Sequence, residues 1–146
     1  MREILYRGKR ADNGEWVEGF YLYTEENTHP VIIDMKCRSH IIIPETVGQF
    51  TGLTDKNGVR VFEDDILFSS YIADSPSIEV VKWIYNGWHT QEGDLTPDMI
   101  DDVGIMPYSE VIGNVHDNRL EAFYGRYRIS KRTHCERRNE GENFKS

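Results

Sequence analysis

Cysteine is scarce in this chain of 146 residues: there are two, Cys37 and Cys135, far apart in sequence. Two isolated cysteines do not make a disulfide framework, which fits a reducing compartment. No apolar run approaches about eighteen residues, and the opening MREILYRGKR is polar and basic from its second residue. The expectation is a cytoplasmic protein with no membrane partner. A Gly-x-Ser-x-Gly elbow, the glycine fingerprints of phosphate and dinucleotide loops, and any repeat of domain-building period are also missing. Their absence removes the motif-based case for a serine hydrolase, a nucleotide-loop enzyme or a solenoid. No cofactor is expected.

Positive charge is lacking from most of the chain. Residues 1–125 carry 10 Lys/Arg against 22 Asp/Glu, whereas 126–146 carry 7 against 3. An acidic body repels phosphate backbones and leaves the tail as the one route to nucleic acid. Its candidate contact cations are Arg126, Arg128, Lys131, Arg132, Arg137 and Arg138, six of the seven. The same charges favour a tail lying against acids of its own or a neighbouring subunit, with Leu120, Phe123 and Tyr127 as apolar anchors.

What is present is β patterning. A hydrophobic share of 38% and an aromatic share of 12% supply a core. β-branched and aromatic clusters alternate with turn residues: Ile4–Tyr6 by position 4–6, then 16–23, 31–33, 41–43, 59–68, 78–85 and 109–115. Asn13-Gly14, Asn57-Gly58 and Asn86-Gly87 mark three hairpin turns. Thr96-Pro97 followed by acids predicts a short helix within 94–103, and 119–132 has Leu120, Phe123 and Tyr127 on one helical side. The reading is a mainly β chain: an N-terminal β-hairpin region at 1–50, a compact small barrel at 51–118 closed by pairing of 80–85 with 110–115, and a basic extension at 119–146, partly helical or flexible.

Several groups are candidates for chemistry. Glu63, Asp64 and Asp65 are the densest acids, and a carboxylate cluster suits a divalent cation or acid–base work, with Asp101 and Asp102 as further carboxylates. Successive strand residues point to opposite faces, so the three converge only where the chain turns; the structural alternative is a turn leading into a strand. Cys37 and His40 have zinc-like spacing that His134 and Cys135 could complete, although adjacent ligands suit a tetrahedron poorly. The five histidines, His29, His40, His89, His116 and His134, stand in unrelated contexts, and no catalytic residue is assigned. Trp16, Phe20, Tyr21, Tyr23, Trp83, Tyr85 and Trp88 serve a core or a partner groove, and the interaction surface is expected at Trp83, Tyr85 and Trp88.

Three blocks, REILYRGKRADNGEWVEGFY, IIIPETVGQFTGLTDKNGVRVFEDDIL and SEVIGNVHDN, in this order, closely resemble the YopX family of phage and prophage proteins over most of residues 1–118. The resemblance implies a small, mainly β protein whose second half is an SH3-type barrel, carried on temperate phage genomes, with no catalytic residues to transfer. The family usually has a Gly-Asp pair leading into the barrel strand, where this chain has Asp64-Asp65. Residues 119–146 lie beyond the resemblance.

Two functions of different class follow. One is a non-enzymatic accessory protein, homo-oligomeric, meeting a phage or host protein through sheet edges and exposed aromatics. The other is a metal-assisted hydrolase or nuclease using Glu63, Asp64 and Asp65. Nucleic-acid binding through the basic tail is a third reading.

Overall fold

The computed structural model describes residues 3–23, 25, 29–70, 76–84, 86–91, 98–99 and 106–129, with the side chains of 98 and 99 excepted. The chain is mainly β, with two sheets and one short helix. Contacts divide it into two units, and not at a single point in the sequence. Residues through Leu53 group with Arg60–Glu63, and Thr54–Val59 group with those from Asp64 onward.

The first unit holds β1 (Tyr6–Lys9), β2 (Trp16–Leu22), β3 (Val31–Ile33), β4 (Ser39–Ile41), a 3-10 turn at Pro44–Thr46, most of β5 (Gly48–Thr54), and β6 (Arg60–Phe62), in the sheet order β4-β3-β2-β1-β5-β6. The chain after β4 returns to the β1–β2 turn. Ala11 N–H donates to the Ile41 carbonyl at 2.8 Å, Arg10 bridges Ile42, and Ile43 N–H donates to the Lys9 carbonyl at 2.9 Å. That return curls the first four strands on themselves and places Ile32 and Ile42 inside, fully buried. Gly8 belongs to this crowded interior, where a methyl would overlap the Ile42 side chain. Leu5, Phe50 and Phe62 form a second buried cluster. The Arg7 guanidinium lies 4.7 Å from the ring centres of both Trp16 and Phe62, within cation–π range.

The second unit holds β7 (Asp65–Ser69), β8 (Ser77–Ile84), β9 (Gly87–Gln91), β10 (Asp98–Met99), a 3-10 turn at Met106–Tyr108, β11 (Ser109–Asn114) and α1 (Leu120–Arg126), with sheet order β10-β9-β8-β7-β11. Ile66, Ile78, Val80 and Phe123 make its core, and Leu120 and Tyr127 pack against it. The apolar side of the expected C-terminal helix is therefore core, and the Tyr127 ring stacks on Phe68 at 4.6 Å.

Two expectations are corrected. Among the described residues β8 and β11 do not pair to close a barrel: both pair with β7, at Ile66↔Val80 and Leu67↔Val111 among others. Alternation identified these strands, but antiparallel order depends on which edges meet, and β7 uses both of its own. Within the expected 94–103 helix, Asp98 and Met99 pair instead with Thr90 and His89 as β10. Cross-strand bonding there outweighs the local capping pattern; the rest of that segment lies outside the described residues.

Candidate functional site

The polar residues of the central block act first on the backbone. Thr46 Oγ1 accepts from Lys9 N–H at 2.8 Å and donates to the Ile43 carbonyl at 2.7 Å, fixing the 3-10 turn. Asp55 is buried, and its Oδ1 accepts from Asn57 and Val59 N–H at 2.8 and 2.9 Å. Its Oδ2 accepts from Val111 N–H at 2.9 Å, while Lys56 N–H donates to the Ser109 carbonyl. One carboxylate thus staples a hairpin turn and caps backbone groups of β11 that would otherwise attract another strand. Near the end of the second unit, Asn114 Oδ1 accepts from His116 and Asp117 N–H, both at 3.0 Å, so the Gly-Asn-Val-His-Asp-Asn run is also a stapled turn.

The three consecutive acids part company. Glu63 contributes backbone to the first unit, its N–H donating to the Gln49 carbonyl at 3.0 Å. Asp65 opens β7 and is 1% exposed. Asp64 lies between, at φ 68°, in the left-handed region that favours glycine. Its Oδ1 accepts from Lys82 Nζ at 2.6 Å, and its Oδ2 from His116 Nε2 at 3.2 Å. Asp64, Lys82 and His116 form a cluster of three titratable side chains in the second unit. Among the described residues, no three His, Cys, Asp or Glu side chains come together as a metal-holding group. Asp101 and Asp102 lie outside the described residues.

Sequence reasoning missed Lys82 and His116 as partners of Asp64. They stand 18 and 52 residues away, and only the register of β8 and the turn after β11 brings them together. Glycine at 64 removes the backbone strain and the two side-chain bonds at once, effects of about 1 kcal/mol each. Asp64→Gly should therefore shift unfolding free energy by less than about 1 kcal/mol, and Asp64→Ala, which keeps the strain, should lose about 1–2 kcal/mol. Urea midpoints of the two variants check this; equal losses would show that the backbone conformation costs nothing.

A second cluster closes the β3–β4 turn. Asp34 Oδ1 accepts from Lys36 and Arg38 N–H at 2.9 and 3.0 Å, and Oδ2 from Arg38 Nε at 3.0 Å and His40 Nε2 at 2.8 Å. The His40 hydrogen bond, followed by those of the turn backbone and Arg38, holds the Asp34 carboxyl well below the usual carboxylate range. Its folded pKa is depressed, so the stability it lends is present above about pH 4 and is lost as pH falls further. Melting curves taken downward from about pH 6 should fall less steeply for Asp34→Asn than for the native chain. Parallel curves would deny the carboxylate this part. The Asp-x-x-x-Arg-x-His spacing was the available signal, since Asp accepts from backbone two and four residues ahead in turns.

Of the zinc-like set, Cys37 is exposed at φ 61°, His40 is engaged by Asp34, and His134 and Cys135 lie outside the described residues. His29 is exposed; His89 is buried, with Nδ1 3.0 Å from the Gly87 carbonyl. Trp83 and Trp88 face each other across β8 and β9 in a T-shaped contact at 4.9 Å, Trp83 half-exposed and Trp88 buried; Tyr85 lies outside the described residues. In the tail, Arg126 ends α1 with its guanidinium 5.5 Å from the Phe123 ring centre, and Arg128 follows at φ 54°. Lys131, Arg132, Arg137 and Arg138 lie outside the described residues.

One exposed apolar surface of the first unit includes Phe20, which the aromatic set had left between a core and a partner groove. Register aligns Phe20 with Ile33, and Leu22 with Val31 and Ile41, on one face of β2, β3 and β4. Tyr21, Ile32 and His40 take the other face, where Ile32 is fully buried. Phe20, Leu22 and Ile41 are 58%, 50% and 54% exposed.

These features define a mainly β protein of two small sheet units whose signature polar residues fasten turns. It matches the YopX protein family over residues 5–121 and belongs to that family. The crystal structure of protein EF1440 from Enterococcus faecalis is similar, with a TM-score of 0.56 and 25% identity, covering 81% of this chain and 96% of that one. No curated protein matches. Among the described residues, no helix is long and apolar enough to cross a membrane.

Proposed function

We propose that this is a non-enzymatic accessory protein of a phage or prophage, working in the host cytoplasm through contacts with other protein surfaces, its own copies included. The observation that carries this reading is the outward apolar face of β2, β3 and β4, with Phe20, Leu22 and Ile41 each at least half exposed. Contiguous exposed apolar side chains cost solubility and mark contact surfaces. The family signature supports the same reading from the other side: Thr46, Asp55 and Asn114 are engaged by backbone groups. A hydrolase built on Glu63, Asp64 and Asp65 would need those carboxylates directed to one point; that Asp64 is held by Lys82 and His116, with no group of three His, Cys, Asp or Glu among the described residues, favours the contact reading over it.

The test is affinity capture from prophage-induced cells with native chain and with Phe20→Ser/Leu22→Ser, both checked for equal folding. Partners retained by the native chain and depleted at least tenfold by the variant support the reading. Identical retention by both removes this face as the functional surface.

A further inference from the structure

We infer that the outer face of β2, β3 and β4 receives the same face of a second copy of this chain, in a two-fold pair centred on Phe20, Leu22 and Ile41. This deepens the contact reading above by naming one occupant, and it rests on that reading.

Charge selects the occupant. The first unit carries 7 Lys/Arg against 9 Asp/Glu, whereas the second, through residue 146, carries 10 against 16. Copies meeting through their second units would bring the larger net negative charge of each together; through the first units that penalty is smaller. The first unit is also neutralised locally. Arg10 pairs with Asp12 at 2.6 Å, Arg38 with Asp34 at 3.0 Å, and Arg60 with Glu3 and Glu18 at 3.2 and 3.4 Å. A strongly charged partner finds no opposite field there, while an identical apolar face finds its match. A two-fold contact needs only that one patch be self-complementary.

The backbone decides how the copies meet. At the β4 side, residues 41 and 43 already bond to 11 and 9, so the strand run returns to its own unit. Pairing by strand addition at that position would break existing hydrogen bonds. The contact is therefore face to face, through side chains. Phe20 stands opposite Ile33, and Leu22 opposite Val31 and Ile41, giving an apolar patch two residues deep on β2 and β3 and one residue deep on β4, where Ser39 takes the position beside Ile33. A patch of this extent is smaller than a typical permanent interface, so the pair should exchange with dissociation constants on the order of micromolar.

Sedimentation velocity on the full chain, from about 1 to about 200 µM, tests this directly. The native mass should rise from 17.1 kDa toward twice that value, and raising salt to about 1 M should not weaken the association, since screening acts on charges rather than apolar contact. Phe20→Ser/Leu22→Ser and, separately, Ile41→Lys should weaken it at least tenfold with unchanged circular dichroism. Trp83→Ser, in the second unit, should leave it unchanged. A native chain that stays monomeric throughout overturns the pairing, and the capture experiment above still judges the wider contact reading. Native association that survives both face variants, or is abolished by Trp83→Ser, overturns the placement of the interface.

Discussion

Gly19→Ala is expected to unfold the first unit. Gly19 is buried in the middle of β2, opposite Tyr6 of β1, and a methyl there would overlap the carbonyl oxygen of Ile33 and stand 2.7 Å from its carbon. The obstacle is backbone, so no rotamer change relieves it. Room can come only from separating β2 from β3 at the Phe20↔Ile33 pair, next to the turn that Asp34 holds together. Overpacking a side-chain site costs about 1–3 kcal/mol, and displacing a paired strand should exceed that, at about 4 kcal/mol or more. Gly14→Ala is the matched control. Nothing lies within 4 Å of its added methyl, but φ is 72°, so only the backbone term of about 1 kcal/mol applies. Hydrogen exchange across residues 6–53, read beside urea unfolding, separates the two; similar modest losses would mean that β2 and β3 are less closely apposed.

Phe123→Ala should have the next largest effect, about 3–5 kcal/mol, located in the second unit. Phe123 is 2% exposed and packs with Ile66, Ile78 and Val80. Ending the chain after residue 118 should cost at least as much, because it also removes Leu120 and the Tyr127 ring stacked on Phe68. Ending it after residue 129 should leave the core intact. Thermal melts of the three forms check this. A native-like melt for the shorter truncation product would show that α1 is not part of the core.

Much of the fold was legible because local signals act locally. Strands announced themselves by β-branched and aromatic clusters, and the period of Leu120, Phe123 and Tyr127 gave α1 beyond the reach of the family resemblance. The Asn-Gly pairs marked real reversals, but their geometry differs from pair to pair. Gly14 and Gly58 take positive φ, whereas in the third turn Asn86 does so and Gly87 is already paired with Ile84 in β9. Loop length decides which residue falls in the left-handed slot, and composition alone does not encode it.

Strand order was not legible, nor was the grouping of Arg60–Glu63 with the first unit. Both depend on contacts between distant segments. The same distance hid the Asp64–Lys82–His116 cluster. Conversely, Glu63-Asp64-Asp65 drew attention because three acids are conspicuous in a row, while the φ of 68° at Asp64 and the burial of Asp65 were not legible from composition. The apolar face was hidden for another reason: Phe20, Tyr21 and Leu22 are consecutive, so alternation could not say which side would face outward.

Under the proposed function, the carboxylates of the signature block hold turns and strands together rather than gathering a cation. The most direct measurement is the melting temperature of the native chain titrated with magnesium, manganese and calcium to about 10 mM each, beside Asp64→Asn. A bound ion at one hundred times its dissociation constant stabilises by about 2.7 kcal/mol, well within reach of the assay. No saturable rise is expected for any of the three ions. A saturable rise in the native chain that disappears in Asp64→Asn would contradict that expectation.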